Sequence, residues 1–178
     1  MSLHLLSPSM PLSKLRYTLA LLTGSVLALC HPLGAQATNA ARLEIRRDST
    51  PAFVLTAAQL AQVAHIDVRA SEHGKEATFS GIPLPTLLRM AGVPVDSVRG
   101  ARTSWYVVAT ASDGYRVVFS LAELAPDLGG RAVFVADKRD GQALGASEGP
   151  LRLVVPDDKR PTRWERQVVT IAVRRGEP

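Results

Sequence analysis

Residues 81–92 read Gly81-Ile-Pro-Leu-Pro-Thr-Leu-Leu-Arg-Met-Ala-Gly92, and they are informative about the architecture of this chain. Their apolar residues recur at the i, i+3, i+4, i+7 spacing that places side chains on one helical face: Leu84, Leu87, Leu88 and Ala91. Pro85 suits the first helical turn, and Gly92 suits the position just after the last turn. The stretch therefore predicts a short helix that buries one face.

Two hairpins are predicted on either side of this helix. Ile66–Ala70 and Glu76–Ser80 alternate in polarity and flank a turn that contains His73 and Gly74. Trp105–Ala111 and Tyr115–Ser120 are rich in valine and aromatic residues and meet at Asp113-Gly114, a strong hairpin signal. Further strands are predicted at Leu43–Arg46, Ala132–Ala136, Leu151–Val155 and Val168–Val173.

Short helices separate the predicted strands. Thr56-Ala-Ala-Gln59 is a capping box, with Leu55 and Leu60 placed as a hydrophobic staple, and it predicts a helix through about Ala64. A helical turn is predicted at Leu121–Ala125. The fold class expected is α+β, mostly β, with a mixed or antiparallel sheet and short interspersed helices.

The N-terminus has the order of a secretory signal. Lys14 and Arg16 precede an apolar run from Tyr17 to Cys30, and Ala35-Gln36-Ala37 is a small-x-small cleavage site. The sequence predicts a signal peptide over residues 1–37 and one domain over residues 38–178. It predicts a periplasmic or secreted protein with no membrane span after cleavage. The twin-arginine pair of folded export is absent, so the signal predicts export of an unfolded chain.

Charge and cysteine content exclude several classes of protein. The chain has 21 basic and 16 acidic residues, and loss of Lys14 and Arg16 with the signal leaves 19 against 16, a net charge of +3. A net charge of this size does not indicate a nucleic-acid-binding protein. Cys30 is the only cysteine and would leave with the signal, so neither a disulfide framework nor a cysteine-rich metal site is expected.

Histidine chemistry is equally sparse in the predicted mature chain. His65 and His73 are its only histidines, and they lie eight positions apart across a predicted hairpin. Without further ligands they make a poor metal site, so exposed loop histidines are expected and no metal site is predicted.

The last third of the chain carries the candidate binding residues. Arg152 lies in a predicted buried strand, and the loop from Pro156 to Arg166 concentrates basic residues around Trp164. Forked guanidinium groups and a hydroxyl are what a phosphate needs, and a tryptophan can wall a flat ring. The alternative is a solvated loop whose cations are neutralised by three acids of the same segment: Asp157, Asp158 and Glu165.

Five blocks in order resemble the sulfite-oxidase-like molybdopterin-binding domain family. They are Phe79–Val93, the Asp113-Gly114-Tyr115 hairpin, Ala136–Leu144, Glu148-Gly-Pro-Leu-Arg-Leu-Val-Val-Pro156 and Arg163-Trp164. The resemblance covers roughly residues 55–173, and it implies that family's fold. By position it implies that the cofactor pocket would be formed by Arg152, Lys159, Arg160, Thr162, Arg163 and Trp164. It places Asp113 and Tyr115 near the pocket rim.

One departure from the family governs the expected function. In catalytic members a cysteine thiolate before the Gly81 block ligates molybdenum, and residues 38–178 contain no cysteine. An unfolded export route also conflicts with a preloaded cofactor. The sequence therefore predicts a non-redox module that binds an anionic small molecule or an envelope protein partner. No cofactor is expected, and molybdopterin is the possible one. The alternatives are a genuine molybdopterin-dependent oxidoreductase or its cofactor-holding subunit, and a ligand-free interaction domain.

Overall fold

A computed structural model of the chain describes residues 41–48 and 50–176. The predicted signal peptide and Cys30 lie outside the described residues. Ten strands are described: β1 (Arg42–Arg47), β2 (Phe53–Thr56), β3 (Ile66–Glu72), β4 (Lys75–Pro83), β5 (Tyr106–Ala111), β6 (Arg116–Ser120), β7 (Phe134–Arg139), β8 (Gln142–Ala143), β9 (Arg152–Val154) and β10 (Val168–Arg174). The α-helices described are α1 (Ala57–Gln62), α2 (Leu84–Met90) and α3 (Leu121–Leu124).

The strands form two sheets. One has the order β2-β1-β10-β5-β6, in which β1 and β10 are parallel and the other pairs are antiparallel. The other is antiparallel, with the order β3-β4-β7-β8 and with β9 also paired to β7. Buried apolar residues of both sheets join one hydrophobic core. The α+β, mostly β prediction is confirmed, with two sheets where the sequence had suggested one.

The structure confirms the predicted start of α1 and the predicted end of α2. Thr56 caps α1: Gln59 Oε1 accepts from the Thr56 N–H at 2.9 Å, and Thr56 Oγ1 accepts from the Gln59 N–H. The helix ends at Gln62, two residues before the predicted end, because Val63 is already extended and the chain turns into β3. In α2 the three leucines are fully buried, and Gly92 has the positive φ of 73° that its position requires.

Several strands differ from the sequence prediction: β8 was not predicted, and β3 and β4 continue past their predicted ends at Ala70 and Ser80. β2 was not predicted either, because its four residues lack a clear alternation: Phe53 and Val54 are half-buried, Leu55 is buried and Thr56 is exposed. β7 begins at Phe134 and continues to Arg139, past the predicted end at Ala136. The extension is polar, and only its pairing with β4 and β8 makes it a strand.

Gly81 marks the closest approach of β4 to β7. A Cβ atom at this position would lie 2.7 Å from Ala136 Cα and 2.8 Å from the Val135 carbonyl oxygen. Both are backbone atoms of a buried strand and cannot move aside independently. Close packing of β4 against β7 therefore requires a glycine at position 81.

Gly81→Ala is expected to lower the free energy of unfolding by about 1–3 kcal/mol, because the strands must separate to admit the methyl group. Urea unfolding followed by tryptophan fluorescence measures the change. Gly145→Ala is the matched control, since a Cβ there has no atom within 4 Å. Equal effects of the two substitutions would contradict the packing argument.

Candidate functional site

A cavity of about 770 Å³ opens where three loops meet. Residues 71–74, at the turn between β3 and β4, form one side. The β5–β6 turn and the loop from Pro156 to Arg166 form the rest. The volume lies within the range of small-molecule sites in proteins. We call this space the main cavity.

The structure brings six of the eight predicted site residues to the main cavity. They come from two loops that are about 45 positions apart in the sequence. They are Asp113, Tyr115, Lys159, Arg160, Thr162 and Trp164. Contact of these residues with a ligand stays a prediction.

Tyr115 joins the β5–β6 turn to the loop from Pro156 to Arg166. Its hydroxyl donates to the Thr162 carbonyl oxygen at 3.0 Å, across the cavity rim. Asp113 Oδ1 accepts from the Tyr115 N–H at 2.9 Å, and Gly114 takes the positive φ of 88° that the tight turn needs. The hairpin predicted at Asp113-Gly114 therefore positions the rim of the main cavity.

The outer wall of the main cavity carries three exposed basic side chains, together with the exposed carboxylate of Asp113. Lys159, Arg160 and Arg166 are exposed, and none forms an ion pair with a carboxylate in the part of the chain that the structure describes. Arg166 was in the basic loop noted in the sequence but was not among the predicted site residues. Uncompensated cations at the mouth of a cavity favour anionic ligands.

Arg163 does not lie on the main cavity. It forms a two-point ion pair with Asp158, at 2.7 and 2.8 Å, and reaches Glu123 at 3.4 Å. Its guanidinium carbon lies 4.7 Å from the centroid of the Phe119 ring. In this structure Arg163 anchors the loop, and its predicted role toward a cofactor stays a prediction. The hydrogen bonds that Arg163 donates to the Asp158 carboxylate hold the pKa of Arg163 above its ordinary value.

Arg152 does not reach the main cavity either, because it is fully buried. Its guanidinium donates to Glu72 Oε1 and lies 3.2 Å from Glu148. The same group lies beside the rings of Phe79 and Trp164, 5.7 and 5.6 Å from their centroids, and the two rings contact each other edge to face. Arg152 thus supports the cavity wall from behind through Trp164, and its predicted contact with a cofactor stays a prediction.

The alternative of an internally neutralised loop holds for only part of the loop. Asp158 pairs with Arg163 and also with Arg131 at 3.2 Å. Asp157 has no ion pair with any cation among residues 41–48 and 50–176, and Glu165 has none either. Lys159, Arg160 and Arg166 therefore form no ion pair with an acid among the described residues, although the charge of Arg166 acts on nearby Glu72.

Glu165 is a further cavity residue that the sequence did not identify as a binding group. It lines the main cavity, it is 2% exposed, and neither carboxyl oxygen has a hydrogen-bond partner among the described residues. Burial raises the pKa of Glu165 to about 7, and the nearby charge of Asp113 adds to the rise. Within a run of charged residues the sequence offers no signal that this one points inward.

The two histidines do not form a metal centre. His73 is exposed at the cavity rim, as expected. His65 is half-buried: its Nδ1 lies 2.8 Å from the Val63 carbonyl oxygen and its Nε2 lies 3.4 Å from Asp137. Among the described residues no three side chains of histidine, cysteine, aspartate or glutamate cluster as metal ligands would.

Comparison with known proteins agrees with the fold described above. The family model described as the oxidoreductase molybdopterin binding domain matches residues 42–177. No curated protein matches the sequence. A solved structure, the sulfane dehydrogenase SoxCD from Paracoccus pantotrophus, is similar with a TM-score of 0.58 and 21% sequence identity.

The structural match covers 74% of this chain and 37% of the SoxCD chain, so this chain spans less than half of that protein. At this level of identity the likeness shows the fold alone. The resemblance noted in the sequence is confirmed by the family match. The chain belongs to the oxidoreductase molybdopterin-binding domain family.

Proposed function

We propose that this chain is a non-redox binding module whose main cavity takes an anionic small molecule. The observation that carries the proposal is the set of exposed, unpaired cations at the cavity mouth, Lys159 and Arg160 above all. The Thr162 hydroxyl and the wall at Trp164 are further groups suited to a phosphate that is attached to a ring system. An envelope protein with an acidic surface is the other partner compatible with these charges.

The lining of the main cavity fits one part of the molybdenum cofactor and not the other. The basic wall suits its pterin phosphate. In catalytic relatives the molybdenum is ligated by a thiolate from the segment before the Gly81 block, and here residues 71–74 are the part of that segment on the cavity. They offer a hydroxyl, the Glu72 carboxylate held by Arg152, and the exposed His73 imidazole. None replaces a soft thiolate ligand.

The location in the cell is part of the same proposal. A periplasmic or secreted protein follows from the signal predicted over residues 1–37. Among the residues that the structure describes, no helix has the length and hydropathy needed to cross a membrane.

The first test is the molybdenum and pterin content of the full chain, expressed in a host that makes the cofactor and purified from its envelope fraction. We expect less than a tenth of an equivalent of metal, because no thiolate is available to hold it. Near-stoichiometric molybdenum with pterin would overturn the non-redox proposal. It would support the second candidate, a molybdopterin-dependent oxidoreductase or its cofactor-holding subunit, which membership of the family favours.

The second test is anion binding by the same protein. Pyrophosphate, followed by calorimetry, is expected to bind the wild type about 10-fold more tightly than a Lys159→Gln/Arg160→Gln double variant, because charge-assisted hydrogen bonds are lost at the mouth. Arg116→Gln removes a comparable exposed charge from β6, away from the main cavity, and should leave the affinity unchanged. Absence of pyrophosphate binding to the wild type would favour the ligand-free interaction domain instead.

A further inference from the structure

The sheet β2-β1-β10-β5-β6 buries one of its faces and exposes the other. Along β1, Leu43 and Ile45 join the hydrophobic core, so the alternating Glu44 and Arg46 lie on the opposite side. Alternation along β5 and β6 likewise separates buried from more exposed side chains. We call this exposed side of the sheet the outer face.

A trough of about 300 Å³ lies on the outer face, and none of its lining residues lines the main cavity. Short side chains of the neighbouring strands β5 and β10 form its floor: Val108, Thr110, Thr170 and Ala172. Longer side chains stand around this floor: Arg46 on β1, Tyr106 on β5, Arg116 on β6 and Arg174 on β10. The cations therefore surround a floor of small, mostly uncharged surface.

The positive charge of the trough is only partly neutralised. Arg46 pairs with Glu44 at 2.9 Å, yet its side chain remains 54% exposed. Arg116 and Arg174 are exposed, and neither forms an ion pair with a carboxylate among residues 41–48 and 50–176. No acidic side chain is among the lining residues of the trough. An excess of positive charge on one surface favours an anionic partner.

The trough also has the composition of a protein–protein contact. Arginine and tyrosine are enriched at such contacts and lysine is depleted, and the charged lining residues here are all arginines. Val108 pairs across the strands with Val118, which is 53% exposed and extends the apolar floor onto β6. An inorganic polyanion would leave this apolar surface in water, whereas a polypeptide covers it.

We propose that the outer face binds an acidic segment of a partner protein, independently of the main cavity. Three strand intervals separate β1 from β6, a distance of about 14 Å, which an extended chain covers in about four residues. Acids at one end of the segment pair with Arg46 and Arg174, and acids at the other end pair with Arg116. The apolar residues between them cover Val108 and Val118.

The probe is a fluorescein-labelled peptide, EEVAVEE, with both termini blocked. Its binding to the purified protein is measured by fluorescence anisotropy at low ionic strength. The variant Arg46→Gln/Arg116→Gln/Arg174→Gln should bind it about 10-fold more weakly, because each exposed ion pair contributes a small part of the affinity. The matched control is Arg69→Gln/Lys75→Gln/Arg99→Gln, which removes the same charge from exposed positions elsewhere and should lose less than about 2-fold.

The arrangement of the charges is tested by a second peptide, EEEEVAV, which has the same composition with all its acids at one end. We expect it to bind the wild type several-fold more weakly than EEVAVEE does. Equal binding of the two peptides, or no binding of EEVAVEE to the wild type, would overturn the proposal. Equal losses in the two triple variants would contradict it as well, since net charge alone would then explain the attraction.

Two further arms exclude other sites and other ligands. Lys159→Gln/Arg160→Gln should keep the wild-type affinity for EEVAVEE, and a loss there would place the peptide at the main cavity instead. Inorganic polyphosphate should bind the outer face more weakly than the peptide does, because it cannot cover Val108 and Val118. Tighter binding of polyphosphate at the same three arginines would overturn the assignment to a polypeptide.

Discussion

Arg152→Met is expected to lower the free energy of unfolding by about 3–5 kcal/mol, the usual effect of removing one partner from a buried ion pair. The guanidinium is fully buried, contacts Glu72 and Glu148, and packs against the rings of Phe79 and Trp164. Burial opposes ionisation of Glu72, but its hydrogen bond with Arg152 and the charges around it hold its pKa below the ordinary value. The pair therefore stabilises the fold at neutral pH, and this contribution is lost as the pH falls through the acid range.

Urea unfolding at pH 7.5 tests the prediction. Arg139→Met is the matched control, because Arg139 contacts the same two carboxylates at 3.6 Å but is partly exposed. It should cost only about 0–1 kcal/mol. A Glu72→Gln substitution added to Arg152→Met should restore part of the loss, since it removes the uncompensated buried charge. Equal losses in the two arginine variants would contradict the assigned role of Arg152.

Glu165→Gln is expected to stabilise the protein at alkaline pH. The folded-state pKa of Glu165 is raised from 4.5 to about 7, so the folded chain binds the proton more tightly than the unfolded chain does. The protonated Glu165 side chain therefore contributes to the free energy of unfolding. This contribution is complete below pH 4.5 and is lost as the pH rises to about 7. The loss amounts to roughly 3 kcal/mol at 1.36 kcal/mol for each pKa unit. A glutamine side chain does not ionise, so the stability of the variant does not fall in this pH range.

The measurement is urea unfolding of the wild type and the variant from pH 4 to pH 9. The difference between the two should be small near pH 4.5, should grow up to about pH 7, and should stay constant above it. Glu76→Gln should show no such growth, since Glu76 is exposed. Parallel pH profiles for the wild type and Glu165→Gln would show that the carboxyl group is not buried unpaired.

Local signals in the sequence predicted most of the elements. The Thr56–Gln59 capping box, the spacing of the α2 leucines and the Asp113-Gly114 turn depend on neighbouring residues, and all three were confirmed. Pairing between distant segments was harder to predict from the sequence. The division into two sheets and the polar end of β7 depend on partners far along the chain.

The sequence predicted which region forms the candidate site. Only the structure showed which residues of that region line the cavity and which do not. The loop from Pro156 to Arg166 and the β5–β6 turn do line one cavity, as their order in the family blocks implied. Arg152 and Arg163 were also expected to line the cavity. In the structure Arg152 pairs with Glu72 and Arg163 pairs with Asp158, and neither arginine is part of the lining. Glu165 lies among charged residues, and nothing in its neighbours reveals that it alone is buried.

The amino-acid sequence by itself determined the strand-rich architecture and the family, and it determined that residues 38–178 hold no thiolate. These depend on periodicity, turn residues and composition, which are local properties. Only the tertiary structure decided which charged side chains face the cavity, which are paired and which are buried. The reason is that the free energy of a charge depends on its distance from other charges and from water, and folding sets those distances between segments far apart in the chain.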